Sequence, residues 1–390
     1  MAIYTDYKAP RELSVKLLEH HLTQSPISLD EDRIPFAVPS PVGLDFASFA
    51  SLFPTTDHSY EASLFRLGHA LFDPIKTRLG PDVSVDIKNR VYHIARKAAL
   101  SSWLEHSIAP LVDASLRAPG LSPTERIWLL LTGNQVERAC EAAMDAGYMK
   151  LATLVSQAGG DFDFRDDIKA QIEIWKNDKV DAHIDKFILR IYNILAGENV
   201  DEGVDDWKRA FGMHLWFGES LDVTLGEVFR SFTRIPEHDG QFSLLRLFAD
   251  PACSLTQILE PSGKLDYTLP WHLYIIISRS IGARDFSDRG DPGPVSDDGE
   301  GTVEGHSPTA DLVTSMYSLQ LEQLGLVQEA LFVLMHLESS AGRFKAVKDL
   351  LARSAPLFDD WMIRGMVGSL KLPMAWVNEA QVCGSEIRRM

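Results

Sequence analysis

"GNQVERACEAAMDAGYMKLATLVSQAGG", residues 133–160, carries one pattern twice. Val136, Ala139, Cys140 and Ala143 recur at helical spacing, Gly147 supplies a turn, and Leu151, Leu154, Val155 and Ala158 repeat the spacing on the way back. Small residues (Ala139, Ala142, Ala143, Ala152) let two helix axes approach closely. The stretch therefore predicts a pair of antiparallel helices. A similar pair is readable in "LEQLGLVQEALFVLMHLESSAGRFKAVKDLLAR", residues 321–353, with a break at "ESSAG". Pairs of this kind bury their apolar faces by stacking on neighbours, which is the logic of an α-solenoid.

The same periodicity runs outward from these pairs. Ile184, Phe187, Ile188, Ile191 and Leu195 form a stripe that Gly197 can close as a left-handed cap. Trp207, Ala210, Phe211, His214 and Leu215 form another, and Leu326, Ala330, Val333, Leu334 and Leu337 a third. Predicted helices run mostly 10 to 16 residues. No fixed period links them, and neither a tetratricopeptide nor an ankyrin signature is present. The reading is an all-α, irregular fold-back α-solenoid.

Two regions lack this pattern. A short amphipathic piece at 10–24 precedes residues 25–58, which hold five prolines and are expected to run extended over a surface. Residues 284–310, "RDFSDRGDPGPVSDDGEGTVEGHSPTA", are rich in Gly, Pro, Ser and acid, a composition that cannot offset ordering entropy, and are expected to form a mobile acidic loop between two helices.

Composition narrows the function. Of 390 residues 45% are hydrophobic and 24% charged, the balance of a folded globular chain. The formal charge of −17 argues against tracking nucleic-acid phosphates, and no run of Lys or Arg suggests a polybasic anchor. No window approaches the roughly 18 apolar residues that span a bilayer. Cys140, Cys253 and Cys383 form no CxxC pair, so neither a local zinc site nor a disulfide framework is indicated, and a reducing compartment is expected.

Signatures of chemistry are weak. "EPSGKLD" lacks the leading glycine of a P-loop and has Leu265 where Ser or Thr would hold magnesium. Neither a nucleophile elbow, a zincin helix nor a kinase set occurs. The adjacent pair His20 and His21, beside Glu19, would point in different directions on a helix and has no third ligand at suitable spacing for a metal. In "LEPSGKLDYTLPWHLY", residues 259–274, Asp266 and His272 would be the acid–base pair of an enzyme. The simpler reading places a helix end near Glu260, Pro270 in a first helical turn and His272 in an apolar helix. Likewise His214 and His336 read as packed, hydrogen-bonded histidines, and "DFDFRDD" at 161–167 as a capped first turn. No cofactor and no catalytic residue is expected.

Several strings resemble, in order, the nucleoporin 96 family, known in fungi as the C-terminal product of nucleoporin 145. "IWLLLTGNQVERACEAAMDAGYMKLATLVSQAGG", "QIEIWKND", "RIYNILAG", "DWKRAFGMHLWF", "ILEPSGKLDYTLPWHLY", "EALFVLMHL" and "KAVKDLLAR" carry the resemblance, which runs through most of the chain from about residue 60. It implies a fold-back α-solenoid of the ancestral coatomer element type in the nuclear pore complex at the nuclear envelope. Its role would be a non-enzymatic scaffold of the Y-shaped coat, supporting nucleocytoplasmic transport and mRNA export.

Mapped by order, residues 1–58 are an N-terminal extension, 59–133 the first part of the trunk, 134–260 the crown and 261–390 the second part of the trunk. Implied partners are a neighbouring stem nucleoporin through the crown, a Sec-thirteen-type β-propeller and other Y-complex hub nucleoporins, without nucleic acid or membrane insertion. The Gly- and Trp-rich strands that complete the propeller are not visible here, and further tail helices would follow the last residue. Phe162, Phe164, Ile168, Ile172 and Trp175 are candidate crown-interface residues, with internal packing as the alternative. A vesicle-coat scaffold of the COPII type would share this architecture.

Overall fold

A computed structural model describes residues 11–80, 82–220, 222–237, 239–259, 266–289 and 307–387. Among them are nineteen α-helices and a single two-stranded hairpin. The chain is mostly helical. Two compact units are present: Thr56–Asp250 is the central unit, and Met1–Thr55 together with Pro251–Met390 is the split unit. This cut differs from the sequence mapping, since helices of 59–133 lie in one unit with those of 134–250.

In the central unit the helix pair read from residues 133–160 is Val136–Asp145 and Met149–Val155. Gly147 takes φ +80, a conformation that costs an L side chain about 1–2 kcal/mol, so the turn needs glycine. Ala139, Ala143 and Val155 are fully buried at the crossing, where the Cys140 thiol donates to the Ala152 carbonyl at 3.6 Å. Helix Lys186–Ala196 ends at Gly197 in the left-handed region, and Asp185 caps its start, accepting from Phe187 and Ile188. The stripe is Phe187, Ile191, Ile194 and Leu195; Ile184 falls outside the helix.

One helix exceeds the expected length. Val85–Leu116 runs for 32 residues and passes through Pro110. Pro110 cannot donate to the His106 carbonyl, but both residues are exposed, so water can serve that acceptor.

Helix Trp207–Met213 continues into a π-turn, His214–Gly218, and in the split unit Thr268–Tyr274 continues into another, Ile275–Ser280. Gly212 leaves room for a side chain of the first: a Cβ there would meet the Trp216 ring at 2.6 Å.

The N-terminal region of the split unit corrects the extended-strap reading. Helix Arg11–Gln24 is followed by strands Ile27–Leu29 and Pro35–Ala37, paired antiparallel with Ile27 opposite Ala37, and by helix Phe46–Ala50. Leu17, Leu44, Phe46 and Phe49 have no exposure. Asp30 at the hairpin turn accepts from Ser340 and Arg343, and Ala37 donates its N–H to the Met335 carbonyl. The segment is core, pinned by long-range polar bonds that local periodicity does not encode.

The acidic stretch is also only partly as expected. Residues 290–306 lie outside the described residues, but both flanks are bonded. Asp288 accepts from the Ser307 hydroxyl at 2.7 Å and from the Thr309 N–H and hydroxyl, while Arg289 bonds Asp285 and Glu338.

Candidate functional site

Asp266 and His272, the one candidate acid–base pair, point to different partners. The Asp266 carboxylate accepts from the Thr268 N–H at 3.0 Å and from the Gln320 amide at 2.9 Å. It thereby holds the first N–H of helix Thr268–Tyr274 from two residues before the helix, whose N-cap is Tyr267 and whose third residue is Pro270. His272 has no exposure, and neither ring nitrogen has a hydrogen-bond partner among the described residues. Its ring stacks on His21 at 4.7 Å and packs against Trp271, Phe49 and Tyr317.

Burial, with His336 and His20 nearby, pushes the His272 pKa down to about 3. Burial likewise takes His336 down to about 4, against its bonds to the Phe332 and Val333 carbonyls. His21 is held well below 6.5 by burial and then by the other histidines. These imidazoles stay neutral and serve as polarisable core, joining helix Arg11–Gln24 to helix Thr268–Tyr274. The sequence flagged His272 and His336; the partnership with His21 needs the fold. No cluster among the described residues has the makings of a metal site.

A second polar group lies close by. The Tyr274 hydroxyl donates to Glu338 at 3.1 Å, and burial with the Glu338 charge drives its pKa far upward. Burial alone would lower Arg289, but its bonds to Asp285 and Glu338 outweigh that and raise it. Glu338 also accepts from the Ser307 N–H. Polar groups here fasten one segment of the chain to another.

The five candidate interface residues belong to helix Phe162–Asn177, capped by Asp161, which accepts from Phe164 N–H. The helix is fastened by Arg165, buried, whose guanidinium donates to the carbonyls of Gly160 and Gly218 at 3.1 and 3.2 Å. Ile168 and Ile172 face inward and are buried, which removes them from any contact surface. Trp175 is half-buried against Tyr192, ring centroids 4.6 Å apart, and Phe164 is half-buried. Phe162 is 69% exposed, and Ile174, which the sequence reading passed over, is 52% exposed. A 3.6-residue wheel would have separated them: 168 and 172 share the face of Arg165, while 174 does not.

In both units the buried charged and polar side chains described above fasten helices to neighbouring segments. Residues 125–383, more than half of the chain, match the family described as nuclear protein 96. The chain belongs to that family of nucleoporins, whose members are non-enzymatic scaffold proteins. It is 29% identical over 94% of its length to "Nucleoporin nup189" of Schizosaccharomyces pombe. It is 24% identical over 83% of its length to "Nucleoporin NUP145" of Saccharomyces cerevisiae, and 34% identical over 38% to "Nuclear pore complex protein NUP96" of Arabidopsis thaliana. It spans 22%, 24% and 15% of those relatives.

Proposed function

We propose that this chain is a scaffold segment of the Y-shaped nuclear pore coat, holding neighbouring nucleoporins through helical surfaces. The observation that carries the reading is the combination of family membership with polar side chains consumed in helix-to-helix fastening. In this reading residues 134–260 form the crown and meet a neighbouring stem nucleoporin, with Phe162 and Ile174 as the accessible apolar anchors. Interfaces of this kind concentrate their free energy in a few such anchors. A β-propeller of the Sec-thirteen type and hub nucleoporins are the remaining proposed partners, and no helix of the described residues is long and apolar enough to cross a membrane.

Size-exclusion co-elution with the stem nucleoporin tests the crown surface. The unmodified chain is expected to co-elute, and Phe162→Glu with Ile174→Glu to elute alone with an unchanged melting temperature. Co-elution of the double variant would exclude this face. Location at the nuclear rim, not at endoplasmic reticulum exit sites, is the expected result of imaging the tagged chain; the reverse would favour a vesicle coat.

A further inference from the structure

Helix Val85–Leu116 has two apolar faces and only one is packed. Leu100, Trp103, Leu104, Ile108 and Val112 face the core of the central unit. Ile87, Val91, Ile94, Ala95 and Ala98 recur at i, i+4, i+7, i+8 and i+11, a spacing that gathers them on one stripe roughly 140° around the helix from the packed face. None of residues 84–95 is buried; Ile87 is 54% and Ile94 37% exposed. A free-standing first three turns would be expected to be polar all round. This one instead presents β-branched residues to solvent at the periodicity of a buried helix face.

The charges beside the stripe indicate what covers it. Lys88 and Arg90, the cations of the helix's first two turns, lie on either flank of the stripe, with Asp86 away from it and Asp222 facing Arg90. Arg90 pairs with Asp222 at 2.7 Å, both side chains largely exposed, a pair that a competing carboxylate can replace at little cost. A shallow depression of about 380 Å³ bounded by Arg90, His93, Ile94 and Asp222 adjoins the stripe and can receive one anchoring side chain.

We propose that the Ile87–Val91–Ile94–Ala98 stripe docks an amphipathic helix of a partner protein that has an apolar seam and acidic flanks, in the manner of a coiled-coil pair. This surface is separate from Phe162 and Ile174, and the proposal does not depend on the nuclear-pore reading.

The test uses the full chain and two labelled, stapled helical peptides of about 18 residues, long enough to present a continuous face. Both carry the same Leu/Ile seam, one flanked by Glu and one by Lys. Fluorescence anisotropy is expected to show saturable, salt-weakened binding of the Glu-flanked peptide, weakened about tenfold or more by Ile87→Glu or Ile94→Glu. Arg90→Glu, which leaves the seam intact, is expected to shift preference toward the Lys-flanked peptide. Melting temperatures of all three variants should match the parent because the positions are exposed. Equal binding of both peptides, binding unaffected by Ile87→Glu and Ile94→Glu, or no binding of either would overturn the proposal. So would self-association of the chain that these variants abolish, which would identify a second copy as the occupant.

Discussion

Among the described residues the central unit buries three cations, Arg96, Lys97 and Arg165, tied to main-chain carbonyls, whereas the split unit, with Arg343 its one such cation, buries three neutral imidazoles and packs them against rings. Arg96 donates to the Ala70 and Asp73 carbonyls at 2.9 and 2.8 Å, Lys97 to Ser220 at 2.9 Å and Arg165 to Gly160 and Gly218. Each cation satisfies at least one carbonyl of a segment well separated in sequence, Ala70 and Asp73 for Arg96, Ser220 for Lys97 and Gly218 for Arg165, so it sets the register between elements. The three buried histidines of the described residues, His21, His272 and His336, all lie in the split unit. The π-turns repeat the contrast. His214, half-buried, sits 3.6 Å from Asp201, while His272 in the equivalent "HL"-aromatic string is sealed in the core. The same short string serves as a rim in one unit and as a keystone in the other, according to what packs over it.

The largest expected break in this comparison is Trp271→Ala. Trp271 has no exposure and contacts His21, His272, Tyr317 and His336, and loss of such a side chain costs about 3–5 kcal/mol. Hydrogen exchange resolved by peptide should show helices of the split unit losing protection while Ile191 and Leu195 of the central unit keep theirs.

Acidification should act in the same direction. The folded-state pKa values of His21, His272 and His336 lie below 6.5, so the unfolded chain binds more protons once pH falls through that value. Their contribution is fully present above about pH 6.5 and declines below it. Each histidine contributes up to about 1.4 kcal/mol per pH unit, which makes the loss at pH 5.5 on the order of 4 kcal/mol in the split unit. Denaturation monitored at pH 7.5 and 5.5 checks this, and His272→Phe should flatten the response.

Arg165→Met should cost the central unit about 2–3 kcal/mol, because charge-assisted bonds are lost and buried carbonyls are orphaned. Arg165→Lys should recover little, since an ammonium cannot span carbonyls on two segments. Chemical denaturation with exchange readout separates it from Trp271→Ala by unit. Smallest is Asp185→Ala, which removes the cap of helix Lys186–Ala196 and should cost about 1 kcal/mol, visible as faster exchange in its first turn.

Much of this was legible locally. Gly147 and Gly197 as left-handed turns, the Asp161 cap, Pro270 in a first turn and the buried stripes of 326–337 follow from spacing and side-chain chemistry within a few residues. The misreadings share one cause. Residues 25–58 looked like a surface strap because their contacts, Asp30 to Arg343 and Ala37 to Met335, join positions about three hundred residues apart. Of the crown candidates Ile168 and Ile172 take the packing alternative, a choice that hydrophobicity alone does not make because it does not say which side of a helix is covered.

The sequence by itself determined that the chain is a set of amphipathic helices with no reaction motif, because helical period and caps are encoded in neighbours three and four apart. Only the tertiary structure decided which apolar stripe is core and which, like Ile87 to Ala98, faces solvent. Burial is a property of what lies opposite, and a stripe carries the same free-energy incentive to be covered whether its partner is its own chain or another's.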